Sequence, residues 1–388
     1  MPYSVFLKKG KEKRVKAGHS WVYANEVARI DGKDKNGSLA SVYSFDGKFI
    51  GKGYINHLSK ILMRIFIRDE NATDAQDFYL ERIHRANECR KALGYDNCYR
   101  AIFAEADELP ALIVDKYDDI LVCQFLSLGI DKRKDMIVDC LVKEFSPRGI
   151  FERSDVSVRA KEGLEEKKGV LYGEVPNEVI ITENDIKMSV DVKNGQKTGY
   201  FLDQKENRFA ARRYAKGRVL DCFCNSGGFS MNCALSADEV LSADISKTAL
   251  ENVERNASLN GFDNVKTVCG DVFELLRNYK SSGEKFDLVI LDPPAFCKSA
   301  SEVKDAYRGY KDINVLGIKL VKSGGYLISS SCSHYMTLPL FEKMLIESAK
   351  ESGRLVRTLE IKSQAPDHPS LLCAEETQYL KFFVMQVF

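Results

Sequence analysis

The chain has 388 residues, enough for two or three domains. Hydrophobic residues make up 44% and charged residues 29%, and 57 Lys and Arg against 56 Asp and Glu leave a formal net charge of +1. This excludes a disordered or fibrous chain and a uniformly basic nucleic-acid coat. No apolar run approaches the ~18 residues of a membrane helix. The Lys/Arg-dense start has no apolar segment behind it and does not read as a secretory signal. The 11 cysteines are scattered without a C-x-x-C pair. The expectation is reduced thiols in a cytoplasmic protein, with no metal site.

Charge is uneven. Residues 1–70 carry 14 basic against 7 acidic side chains, a net of +7, while the rest is mildly acidic. A compact basic segment reads either as a phosphate-backbone reader or as a solvated charged face. The same segment predicts short strands at 38–43, 48–55 and 60–68, with Asp46-Gly47 as a hairpin turn. A small, mostly β domain over 1–70 follows.

Residues 71–185 change character. The periodicity of Phe78, Ile83, Ala86 and Cys89 predicts a helix over 74–93, and a second helix is expected over 132–145. Strand-like runs fall at 111–114, 120–126, 149–151, 170–172 and 179–181. This is a central α+β domain with no catalytic pattern of its own.

From residue 186 to 388 the pattern is strand–helix–strand. Apolar strands are expected at 218–223, 239–244, 265–268, 286–291 and 326–330, with helices at 229–235, from Ser246 to Asn260, and at 310–321. Such alternation predicts an α/β fold, a doubly wound Rossmann-like sheet whose ligands bind beyond the C-terminal strand ends.

The first turn, Asp221-Cys-Phe-Cys-Asn-Ser-Gly227-Gly228, lacks the spacing of the dinucleotide fingerprint. Its glycines still admit close backbone approach, either of a helix or of a ligand. Asp244 ends the second strand, where a carboxylate accepts ribose hydroxyls; Asp271 and Asp292 end the next two. A nucleoside ligand without a pyrophosphate fits, namely S-adenosylmethionine. The candidate cofactor-binding residues are Asp221, Phe223, Asn225, Gly227, Asp244, Ile245, Ser246, Asp271, Val272, Asp292 and Pro293. Cys332 ends the fifth strand in a polar Ser-Ser-Ser-Cys-Ser-His turn. Most cysteines are small buried hydrophobes, but this setting beside Asp292 favours a nucleophile.

Several runs together resemble one family: Asp203-Gln-Lys-Glu-Asn-Arg208, Val219 to Phe229, Leu291-Asp-Pro-Pro-Ala-Phe296, Gly309-Tyr-Lys-Asp-Ile-Asn314, Ser331-Cys-Ser333 and Asp367-His-Pro369. They are similar to the bacterial large-subunit ribosomal RNA cytosine-5 methyltransferase I family, and the likeness covers nearly the whole chain. It implies an N-terminal PUA domain (1–70), a central domain (71–185) and a class I methyltransferase domain (186–388). It implies ribosomal RNA as partner, a homodimer, Cys332 and Asp292 as catalytic residues, and RNA contacts from Lys8, Lys9, Lys11, Lys13, Arg14, His19 and Trp21.

In the chemistry this implies, a thiolate adds at cytosine C6, C5 takes the methyl group, and loss of the C5 proton expels the thiol. The base that removes that proton is unassigned, with water and Asp292 both open. Pro294 stands where many RNA cytosine-5 methyltransferases place a second cysteine. Methylation of guanine or of an exocyclic amine without a thiol is the nearest alternative. A non-catalytic RNA-binding ribosome-assembly factor is the alternative from another class.

Overall fold

The computed structural model describes residues 2–388. The chain forms two compact units. The first takes residues up to Ile181 together with Val190–Leu202 and Pro366–Thr377; the second takes Thr182–Ser189, Asp203–Ala365 and Gln378–Phe388. Residues 190–202 and 366–377 therefore leave the segment 186–388 to pack with the first unit. Consecutive sequence segments do not capture this, because both excursions carry short irregular runs with no period of their own.

Among its described residues the first unit holds two main sheets. One has six strands in the order 21–23, 61–67, 49–55, 39–43, 3–7, 27–31. Its hairpin turn is at Asp46-Gly47, with Tyr43 opposite Phe49. Gly53 is required where this hairpin meets the next strand: a Cβ there would lie 2.1 Å from the Arg64 carbonyl oxygen. The short helix Glu12–Lys16 covers part of the basic run, to which charge alone assigns no shape. The second sheet runs 167–173, 149–154, 120–125, 112–117, 98–103. Ile120–Phe125 and Gly149–Ser154 are parallel, with helix Lys134–Phe145 as crossover. Tyr79, Ile83, Ile137 and Leu141 from the helices meet Leu112, Val114, Leu121 and Ile150 in one core.

The second unit is a seven-stranded sheet among its described residues. In chain order its elements are β1 (Arg218–Cys222), α1 (Gly228–Ala234), β2 (Glu239–Asp244), α2 (Lys247–Asn260), β3 (Val265–Cys269), α3 (Val272–Ser281), β4 (Phe286–Leu291), α4 (Val303–Leu320), β5 (Val321–Ser331), α5 (Leu338–Ser352), β6 (Val356–Lys362) and β7 (Lys381–Val387). The strand order is β3-β2-β1-β4-β5-β7-β6. Pairings from β3 across to β5 are parallel, and β7 is antiparallel to both its neighbours. The order reverses between β1 and β4, the switch point at which open α/β sheets take ligands.

Both faces are covered, as near-continuous apolar strands predict. Val219, Leu288, Ile290, Ile328, Phe382 and Val384 face one core. The intervening Leu220, Val289, Leu291, Leu327, Phe383 and Met385 face the other. β5 starts at Val321, earlier than sequence indicates. Its register against β4 slips between Val321 and Tyr326, so the Gly-containing run 322–325 loops out and reads as a turn. β6 and β7 go unread in sequence because a C-terminal antiparallel pair has no strand–helix alternation to announce it.

Helix Lys205–Ala211 is fastened within this unit by a buried fork: Arg208 Nε and Nη2 donate to the two Glu183 carboxylate oxygens at 2.6 and 2.7 Å. Removing the carboxylate takes both of these bonds from a buried guanidinium. Glu183→Ala should lower unfolding free energy by about 3–5 kcal/mol, read by chemical denaturation. A loss under about 1 kcal/mol would mean the pair behaves like a surface ion pair.

Candidate active site

The turn after β1 is built from unusual backbone. Phe223 and Asn225 adopt positive φ (62° and 49°), followed by Gly227 at 83°. Left-handed residues at alternate positions curl the loop between β1 and α1. Asn225 N donates to Asp244 Oδ2 at 3.0 Å, and Ser246 N to Asp244 Oδ1 at 2.9 Å. The carboxylate at the end of β2 is thereby fixed from both sides. Ser246 caps α2 by accepting from Ala249 N. Ile245, between them, stands 71% exposed, an apolar face with no protein covering.

Asp221 is fully buried at the end of β1. Oδ2 accepts from Ser230 Oγ at 2.6 Å. Oδ1 has no hydrogen-bond partner among the described residues. Burial first, then the charges of Asp292 and Asp244, push its carboxyl up to about 7. The three acids from three strand ends thus share one field. Asp271 is exposed; its carboxylate caps α3 by accepting from Glu274 N at 3.2 Å. Val272 and Pro293 are buried.

The ends of β4 and β5 are stitched together. Leu291 pairs with Ser329, so Asp292 falls beside Ser330. Asp292 Oδ1 accepts from Ser330 Oγ and, at 2.9 Å, from Gln204 Nε2. Asn207 Nδ2 holds the Gln204 carbonyl at 2.6 Å. Burial raises the Asp292 carboxyl to about 6, against the pull of the Ser330 bond. The Tyr310 hydroxyl lies 2.9 Å from Ser333 Oγ and accepts from Ser331 Oγ at 3.0 Å. Cys297 N donates to Ser333 Oγ at 3.2 Å. Between the two bound serines, Cys332 is partly exposed. Phe296, a ring-centroid distance of 4.7 Å from Tyr310 and 6.3 Å from Phe223, walls the same cluster.

The structure therefore gathers Asp221, Asp244, Asp292 and Cys332 at one sheet edge. Gln204, Tyr310 and Ser330 lie in runs singled out in sequence, but their contacts were not legible there, because they reach Asp292 and the cysteine turn from 21 to 88 positions away. In the first unit the candidate RNA residues divide. Lys8, Lys9, Lys11 and Lys13 are exposed. Arg14 pairs with Glu26 at 3.1 Å, His19 is 3% exposed and bonded to Glu376 at 2.6 Å, and the Trp21 indole N–H donates to Glu105 at 2.7 Å. The last three are engaged in internal contacts.

Comparisons with known proteins agree with this architecture. A PUA-like domain family matches residues 5–68, and an S-adenosylmethionine-dependent methyltransferase family matches residues 164–382. The chain is 43% identical over 396 residues to the ribosomal RNA large subunit methyltransferase I of Aeromonas hydrophila, and 41% identical over 398 residues to that of Vibrio cholerae. Each alignment covers 100% of both chains. Among solved structures it is similar to a SAM-dependent methyltransferase described from Streptococcus mutans (TM-score 0.84, 22% identity, 100% of both chains). It is equally similar to a methyltransferase solved with S-adenosylhomocysteine (TM-score 0.85, 21% identity, 100% of both chains); likeness at that identity shows the fold.

The cofactor is S-adenosylmethionine. The donor set fits it: a fixed carboxylate for ribose hydroxyls, an uncovered apolar side chain for a planar base, and an orphaned buried carboxylate oxygen for an amino group. The raised Asp221 carboxyl also has a stability signature. The folded state holds that proton more tightly than the unfolded chain, so stability is lost as pH rises from the ordinary 3.8 through about 7. Without cofactor, the wild type should lose stability relative to Asp221→Asn across that interval, and the difference should level off above it. Denaturation midpoints that run parallel at every pH would contradict this.

Proposed function

The chain belongs to the ribosomal RNA large subunit methyltransferase I family, and from that premise we propose that it methylates carbon 5 of a cytosine in large-subunit ribosomal RNA. S-adenosylmethionine, when bound, supplies an electrophilic methyl group, with Asp244, Ile245, Asp221 and the loop through Asn225 and Gly227 holding it.

The single observation that carries the cytosine reading is the half-exposed Cys332 at a strand end tied to Asp292 through neighbouring serines. Cytosine carbon 5 is too weak a nucleophile to take a methyl group unaided. The Cys332 sulfur donates a lone pair to carbon 6, and the carbon 5–carbon 6 π pair moves toward carbon 5, which would take the methyl group as its bond to the cofactor's sulfonium breaks with the pair returning to that sulfur. Departure of the carbon 5 proton restores the double bond and returns the carbon 6–sulfur pair to sulfur. Asp292 faces the ring's N3/N4 edge. With a carboxyl raised to about 6, it is protonated often enough near neutrality to donate to N3 while accepting from the exocyclic amine. Gln204 and Ser330 fix its orientation. The target base leaves its stack to enter the site. The exposed Lys8, Lys9, Lys11 and Lys13 meet RNA phosphates.

Cys332→Ala should abolish 5-methylcytosine formation on undermethylated large-subunit RNA while leaving cofactor affinity by calorimetry near wild type. Full activity in this variant, or a methylated guanine in its place by nucleoside mass spectrometry, would overturn the reading. Asp292→Asn should slow methylation at least about a hundredfold. Neutralising the four exposed lysines should flatten the salt dependence of RNA binding, the slope falling by about 1 for each phosphate that is no longer neutralised; an unchanged slope would make them a solvated surface.

A further inference from the structure

Lys381 is the first residue of β7, and the antiparallel register sets it opposite Ser331, the residue before Cys332. It is 6% exposed. Its ammonium donates to two carbonyl oxygens, Ser333 O and Tyr379 O, each at 2.7 Å. It has no carboxylate partner among the described residues. A buried ammonium without a counter-charge is costly, and such a lysine is normally paired or replaced. The opposing charge acting on it is Cys332. Two of its three N–H groups are spent on these carbonyls, one of them in the cysteine turn, which fixes the cation in place and leaves the third N–H uncommitted.

We propose that Lys381 is a positioning residue that holds Cys332 as a thiolate before the base arrives and receives it as a thiolate when the product leaves. This rests on Cys332 being the nucleophile. The thiol proton passes to solvent before addition, and Lys381 keeps its three protons throughout. The sulfur lone pair forms the bond to carbon 6 beside a fixed positive charge. At release the bonding pair returns to sulfur beside the same charge. Burial lowers the Lys381 ammonium to about 8, and a negative charge at Cys332 opposes that fall.

The other ionisable groups around the turn are accounted for. Tyr310, hydrogen-bonded between Ser331 and Ser333, is pushed up to about 12 and stays neutral. Asp292 is reached through Ser330, and Asp203 through the Tyr379 hydroxyl at 2.6 Å. His334, next but one to Cys332, is exposed and is separated out by His334→Ala.

The test is peptide-resolved alkylation of Cys332 by iodoacetamide as a function of pH, in the full chain. Lys381→Met and Lys381→Gln should each slow alkylation at neutral pH about tenfold and move its midpoint up by about one pH unit. Lys381→Arg should restore most of the rate, and cofactor affinity by calorimetry should hold in all three. Glutamine keeps an N–H for the carbonyls without the charge. A wild-type profile in Lys381→Gln would therefore reduce the lysine to a structural tie and overturn the proposal, as would an unmoved profile in Lys381→Met. If methionine unfolds the protein, the glutamine and arginine variants decide. Nucleoside analysis of wild-type product separates the two readings. A shifted profile without 5-methylcytosine would sink the cytosine assignment and leave the ion pair. 5-Methylcytosine with an unshifted profile would sink the ion pair alone.

Discussion

The hydrogen bond from Ser330 to Asp292 joins the ends of two parallel strands, and the rest of the site depends on it. β4 and β5 run side by side, and the pairing of Leu291 with Ser329 brings both chains to the sheet edge at the same level. One strand end supplies a carboxylate and the next a thiol one turn further on. Parallel pairing inside a doubly wound sheet does this without any local preference for the contact. The Tyr310 hydroxyl then bonds the serines on either side of Cys332, Ser331 and Ser333.

Electrostatics follow from the same placement. Three strand-end acids crowd one low-dielectric edge, and burial raises two of them. Such a site favours neutral carboxyls that donate hydrogen bonds and welcomes cationic ligands. A sulfonium cofactor carries the complementary charge, and the buried ammonium of Lys381 sets a local positive point on the thiol side. The edge therefore carries acids at the β1, β2 and β4 ends and a cation on β7, beside β5.

Much of this was legible in sequence because each key acid ends an apolar run. Asp244 after Glu239–Ala243 and Asp292 after Phe286–Leu291 announce themselves as strand termini, and Cys332 follows a run that alternates into serines. Ser246 and Gly261 mark the ends of α2 by ordinary capping chemistry. Lys381 stayed silent, and Gln204 stood in a recognised run without its contact being readable. Gln204 lies before the first strand of the sheet and touches Asp292 across 88 positions, and Lys381 reaches the cysteine turn through an antiparallel pairing no periodicity predicts. The family resemblance implies RNA contacts from His19 and Trp21; in the structure the imidazole is bonded to Glu376 and the indole N–H donates to Glu105.

The most direct test of the central claim is covalent trapping. Large-subunit RNA carrying 5-fluorocytosine at the target should stall after methyl transfer, because fluorine cannot leave as the proton does. A stable protein–RNA adduct is expected, with proteolysis fragments that place the nucleotide on Cys332. No adduct from protein that methylates ordinary RNA, or an adduct on any other cysteine, would contradict it.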